Sequence, residues 1–164
     1  MILSIQNRQT LRSVDTRQLR RVARWTLQEL GVEDAELGIH LVGCLEMEKI
    51  NGQYLNHKGS TDILTFDHRD DPNQLGASCS PFHGEMYICL DDTVLQARRH
   101  GCAWQLELAR YVIHGLLHLR GHDDLEPEAR KLMKREENRL LRKLASTMKL
   151  SLLHRTRKDA RHVR

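Results

Sequence analysis

Apolar positions along this chain change period several times, and each change marks an element. Ile2 to Gln6 reads as a short first strand. Leu19, Val22, Ala23, Leu27 and Leu30 recur at helical spacing, which predicts a helix from about Thr16 to Leu30. Asp15 is its N-cap, Gln18 is placed for a capping box, and Gly31 stops it. Leu37, Ile39 and Leu41 alternate with Gly38, His40 and Val42, the period of a second strand. Glu46 to Tyr54 reads as a short helix through Met47, Ile50 and Tyr54, and Asp62 to Phe66 as a β-branched, apolar third strand. Residues 67–83, rich in Asp, Pro, Gly, Ser and His, read as an exposed loop. Met86 to Leu90 gives a fourth strand, and Thr93 to His100 a helix ended by Gly101.

Residues 103–119 are apolar on most sides, as a buried helix is. Pro127 suits the first turn of a last helix reaching about Met148, with Ala129, Leu132, Met133, Leu140 and Leu144 facing inward. Strands and helices mix without a strict βαβ alternation and no repeat appears. The expectation is one α+β domain: a four-stranded mixed sheet packed with about five helices, around a central buried helix.

That central helix carries the chemistry. In His114-Gly-Leu-Leu-His118-Leu-Arg-Gly121-His122-Asp123-Asp124 the two histidines stand four apart, on one helical face. Both imidazoles can reach one point. Gly121 can take the left-handed conformation that ends a helix, and the turn can return Asp124 or His122 to that point. Two nitrogens and a further ligand with a fourth position open is the catalytic pattern for zinc. The usual helical zinc peptidase reads H-E-x-x-H, with Glu as general base. Here that position is Gly115, which carries no base and costs a helix roughly 1 kcal/mol relative to alanine.

Charge adds a direction. The chain of 164 residues is net +4, but residues 130–164 hold 13 Lys/Arg against 3 Asp/Glu, and residues 1–129 hold 13 against 19. An acidic body with a basic end suggests a polyanionic partner. Aromatic content of 4% argues against a surface of stacked rings for bases. The cysteines, Cys44, Cys79, Cys89 and Cys102, form no C-x-x-C, and Cys44 and Cys89 read as small core hydrophobes. The N-terminus turns polar too soon for a signal peptide, and no apolar run is long enough to span a membrane, so a cytoplasmic protein with reduced thiols is expected.

The histidine segment resembles the H-G-x-L-H-L-x-G-Y-D-H signature of the YbeY family of bacterial rRNA-maturation endoribonucleases. Asn51-x-x-Tyr54 followed by Thr61-Asp62-Ile-Leu-Thr-Phe66 is similar to that family's N-x-x-Y and T-D-V-L-S-F block, and Gly84-Glu85-Met86 to its G-D-I strand. The resemblance spans roughly residues 40–125. It implies a zinc-dependent, single-strand-specific endoribonuclease that processes the 3′ end of 16S rRNA and acts in ribosome maturation and quality control. The chain is then a YbeY-like domain over residues 1–150 with a basic, disordered tail over 151–164.

The resemblance implies one Zn2+ per chain on three histidines. Two carry over as His114 and His118; the third falls on Asp124, with His122 its competitor. A carboxylate is a normal zinc ligand, though an anionic one leaves the metal less Lewis-acidic. Where the family often has Arg directly after the tyrosine, this chain has Leu55. The task of neutralising charge at phosphorus passes to His57 or Lys58, the candidate catalytic residues, or to a basic residue of the last helix. Lys131, Lys134, Arg135 and Arg142 on the last helix are candidates for tracking the RNA backbone. Thr61 and Asp62 are expected to organise the strand start rather than touch substrate. The expected partners are small-subunit rRNA and the ribosome. Competing readings are a ribosome-associated assembly factor with a structural metal and little activity, and a metal-dependent hydrolase of non-RNA substrates.

Overall fold

The computed structural model describes residues 1–54, 61–69 and 82–155. Four strands form one mixed sheet: β1 (Ile2–Asn7), β2 (Ala35–Val42), β3 (Ile63–Asp67) and β4 (Phe82–Cys89), in the order β1-β2-β4-β3. The pairs β1–β2 and β2–β4 are parallel, and β3 runs antiparallel to β4 at the sheet edge. Five α-helices accompany it among the described residues: α1 (Thr16–Glu29), α2 (Cys44–Tyr54), α3 (Leu90–Arg99), α4 (Trp104–Leu119) and α5 (Pro127–Thr147). The α+β expectation is met, in a single domain. No described helix is long and apolar enough to cross a membrane.

One face of the sheet, through Leu37, Ile39, Leu41, Met86 and Ile88, packs with α1, α4 and α5 in the main core. On the other face, α2 covers a smaller cluster of Val42, Met47, Leu64 and Cys89. Helix α4 touches α1, α3, α5, β3 and β4, and its buried residues run from Glu107 to Leu119. Gly115 explains how it lies so close to the sheet. A Cβ there would stand 2.9 Å from Ile63 Cδ1 and 3.1 Å from Met86 Cε. The glycine that weakens the helix in isolation lets it dock between the two histidines. Gly115→Val should lower stability by about 1–3 kcal/mol through overpacking, despite valine's better helix propensity. Thermal denaturation checks this; a variant as stable as the parent would mean that Ile63 and Met86 yield freely.

Several boundaries differ from the sequence reading. β4 begins at Phe82, inside the stretch read as loop, because Phe82, Gly84 and Met86 point inward while His83, Glu85 and Tyr87 point outward. α3 begins at Leu90, not Thr93; Leu90 follows the strand directly and is buried, and Asp91 and Asp92 suit the positive end of the helix. Leu132 is 53% exposed, and the inward stripe of α5 is Met133, Glu137, Leu140, Leu141 and Leu144. Cys44 is half-buried at the start of α2, whereas Cys89 is buried as expected.

Asp15 caps α1 by accepting from the amides of Arg17 and Gln18. The reciprocal half of the capping box is replaced, since the Asp15 N–H donates to Leu153 O at 2.8 Å. That bond belongs to a 3-10 turn, Leu150–Leu153, whose Leu153 is buried in the main core. Val14 bridges His154, and Arg155 N–H donates to Ser13 O at 2.9 Å. A tail starting at 151 is therefore drawn too early: buried Leu153 and the backbone bonds around it extend the body to Arg155. Residues 156–164 lie outside the described residues.

Candidate metal centre

His114 and His118 project from the last turns of α4, as their spacing requires. After Leu119 the chain reverses. Gly121 has φ +100°, the Gly121 N–H donates to His118 O at 2.9 Å, and the His122 N–H donates to Leu117 O at 3.0 Å. These are the paired bonds of a Schellman stop. The following loop is tied down locally. Asp123 accepts from the Leu125 N–H at 3.0 Å, and Arg130 donates to the carbonyls of Asp124 at 2.8 Å and Leu125 at 3.2 Å.

The result brings Asp124, rather than His122, to the histidines. Asp124 Oδ2 lies 3.8 Å from His114 Nε2 and 3.6 Å from His118 Nε2, and the two nitrogens are 3.0 Å apart. These three atoms form a possible metal-binding group. With zinc–ligand distances of about 2.0–2.2 Å, a tetrahedral site has donor-to-donor edges of roughly 3.3–3.6 Å, which the three separations straddle. His122 contributes its backbone instead: its carbonyl accepts from His118 Nδ1 at 3.1 Å.

The other ring nitrogens decide the chemistry. His114 Nδ1 faces Glu137 Oε2 at 2.9 Å, and His118 Nδ1 faces the His122 carbonyl. Both acceptors require an N–H, so each Nδ1 is the donor and, in the neutral imidazole, each Nε2 presents a lone pair. Two such lone pairs 3.0 Å apart, with a carboxylate beside them, attract a shared proton or a metal ion between them. That donor set fits a divalent metal. Burial, then the neighbouring His114, pulls the His118 pKa down against the opposing pull of Asp124, which favours the neutral, ligating form.

Glu137 is a residue that the sequence reading passed over. It is 7% exposed, on the inward stripe of α5, and also accepts from Arg110 Nη1 at 2.8 Å. Burial alone would raise its pKa, but hydrogen bonds from His114 and Arg110 outweigh that and lower it, keeping it a carboxylate. Arg110 lies 3.6 Å from buried Glu107 as well. A glutamate in register with Met133, Leu140 and Leu144 was the available signal: an acid on an apolar stripe implies a buried partner.

The cluster opens on a cleft of about 300 Å³, lined by residues 62–66 with His114, His118 and Asp124. The edge strand β3 thus forms one wall. Asp62 organises the strand start, accepting from the Ile63 N–H at 2.9 Å. At the far end, Arg69 pairs with Asp67 and donates to Leu119 O at 3.0 Å, tying β3 to the end of α4. His57 and Lys58, like Leu55, lie outside the described residues. Lys131, Lys134, Arg135 and Arg142 are exposed on α5 and do not join the triad; Lys131 pairs with Glu128 at 2.7 Å.

Fold and cluster together define an α+β protein with a possible metal-binding group beside a sheet edge. The family model described as Endoribonuclease YbeY matches residues 4–145, and the chain belongs to that family. Curated relatives include Endoribonuclease YbeY of Salinibacter ruber, 33% identical over 85% of this chain and 89% of that protein. That of Chlorobium luteolum is 35% identical over 88% and 98%. Among solved structures, the solution structure of TM1509 from Thermotoga maritima matches with a TM-score of 0.59 at 24% identity, covering 85% of this chain and 87% of that one, a likeness of fold. Family membership supports an endoribonuclease role, a hydrolase acting on RNA.

Proposed function

We propose that this chain is a zinc-dependent endoribonuclease for single-stranded RNA, acting on the 3′ end of small-subunit rRNA during ribosome maturation and quality control. The observation that carries the reading is the convergence of His114 Nε2, His118 Nε2 and Asp124 Oδ2, with both Nδ1 atoms held as donors. A zinc ion held there, one per chain, would polarise a phosphodiester oxygen and make water more acidic. Glu137 and the His122 carbonyl orient the two imidazoles. His57 or Lys58 neutralises charge developing at phosphorus, in place of the arginine that Leu55 replaces. Lys131, Lys134, Arg135 and Arg142 contact phosphates without reading sequence. The site of action is the cytoplasm, where free thiols such as those of Cys44, Cys89 and Cys102 stay reduced.

Leu55 favours one competing reading, a ribosome-associated factor with a structural metal and little activity. Purified protein decides between them. Elemental analysis should find about one zinc per chain, and a single-stranded RNA should be cut, the duplex form spared, with activity lost to chelator and restored by zinc. Zinc retained without cleavage would support the assembly-factor reading. Cleavage indifferent to chelator would overturn the metal-dependent one.

A further inference from the structure

On the face of the sheet opposite α4 the structure gathers a ladder of rings. His40 from β2 lies flat on Tyr87 from β4, with centroids 4.4 Å apart and planes 14° apart. Phe66 from β3 meets Tyr87 edge-on at 5.8 Å, and Tyr54, the last residue of α2, meets Phe66 edge-on at 5.1 Å. Three of the chain's seven Phe, Trp and Tyr residues are here, so low aromatic content did not mean dispersed aromatics. The inner rings are covered: His40 is buried, and Phe66 and Tyr87 are half-buried. The outermost ring, Tyr54, is 66% exposed.

A single exposed tyrosine is ordinary. Position distinguishes this one. Phe66, which holds Tyr54 in place, also lines the cleft containing His114, His118 and Asp124. Because β3 is the edge strand, a polymer leaving that cleft has one strand to cross before meeting Tyr54. The carboxylate at the inner end of the ladder is hydrogen-bonded rather than free. Glu85 has its two oxygens against His40 and His68, each at 3.2 Å. Arg8 lies 6.0 Å over the Tyr87 ring.

We propose that Tyr54 is a stacking platform for one unpaired nucleobase of the RNA strand, next to the bond being cut. This rests on the endoribonuclease reading and deepens it. Every base has a π-face, so the contact tolerates any sequence. A base paired in a duplex must first be unpaired and unstacked, at a cost of about a few kcal/mol, so the same contact favours single strands. Phe66 contributes by fixing the plane of the Tyr54 ring before the base arrives.

The test uses full-length, zinc-loaded protein and a short unstructured RNA, read as KM and kcat for cleavage. A second readout is fluorescence anisotropy with an uncleavable version of the same RNA. Tyr54→Ala should raise KM and Kd roughly 5- to 150-fold, the range of one lost base stack, with a smaller change in kcat. Tyr54→Phe keeps the ring and should restore most of the loss. Oligonucleotides carrying one abasic nucleotide, scanned along the strand, should include a position that costs the parent protein the same factor and costs Tyr54→Ala nothing further. That scan stands even if Tyr54→Ala folds poorly, since the parent must show one sensitive position beside the cut. Equal binding by Tyr54→Ala and parent, equal loss in Tyr54→Phe and Tyr54→Ala, or no sensitive position would overturn the proposal. So would a loss seen only against whole ribosomal subunits, which would assign the ring to a protein contact. Each of these presupposes RNA cleavage by the parent protein; a parent that neither binds nor cuts single-stranded RNA sinks the endoribonuclease reading itself, and this proposal with it.

Discussion

Asp124→Ala should weaken zinc binding by more than the roughly 10- to 100-fold typical of losing an outer-shell partner, whereas His122→Ala should leave it nearly unchanged. The asymmetry follows from which atoms each residue contributes. Asp124 supplies a side-chain oxygen at 3.6 Å and 3.8 Å from the two imidazole nitrogens. Removing it leaves two ligands where the fold brings three. His122 supplies a carbonyl to His118 Nδ1 and an N–H to Leu117 O, both of which alanine retains. Competition titrations against a chromophoric chelator, with both variants in parallel, read the two affinities directly. A larger loss in His122→Ala would assign the third ligand to the imidazole and mean that the loop at Asp124 rearranges around the metal.

The parts of this site that were legible in the sequence are those set by local periodicity. Four-residue spacing on an apolar run places His114 and His118 on one face whatever surrounds them. A glycine three residues later marks the helix stop, and the positive φ of Gly121 realises it. The choice between Asp124 and His122 was not legible from spacing, because both follow the same turn. The family register placed the third ligand at Asp124, and Arg130, whose guanidinium grips the carbonyls of Asp124 and Leu125, ties that loop to the start of α5.

Elsewhere the obstacle was composition masking pairing. Phe82 and His83 fell in a stretch that looks like loop, yet the alternation from Phe82 onward becomes strand once β2 supplies a partner from Ala35 to Val42. Gly84 even has a packing reason there, since a Cβ would stand 2.9 Å from the Phe66 carbonyl oxygen. Similarly, Leu153 precedes a run of polar and basic residues, so a tail from 151 was the natural reading. What fixes it is a long-range bond, from the Asp15 N–H to Leu153 O, that no local pattern announces. Tyr54 was read as one face of a short helix, and its neighbours in the ladder come from β2, β3 and β4.

The last expected result concerns Glu137, the acid hidden on the apolar stripe of α5. Glu137→Gln should lower zinc affinity roughly 10- to 100-fold, although the residue makes no contact with the metal position. The carboxylate holds His114 Nδ1 as the donor at 2.9 Å, directing Nε2 and its lone pair toward His118 and Asp124. An uncharged amide can present an oxygen to that N–H, but it gives up the charge that makes the imidazole a stronger base. It can also turn its NH2 toward the ring and favour the wrong tautomer. Glu137→Ala should do the same to affinity and also destabilise the metal-free protein by about 3 kcal/mol, the lower end for breaking a buried ion pair. The lower end applies because Arg110, left behind, is partly exposed and keeps Asn138 at 3.1 Å and Glu107 at 3.6 Å. Measuring zinc affinity and urea unfolding on the two variants separates orientation from packing. A Glu137→Gln protein that binds zinc as the parent does would reduce Glu137 to a structural partner of Arg110, and the tautomer of His114 would then have to be set by the metal alone.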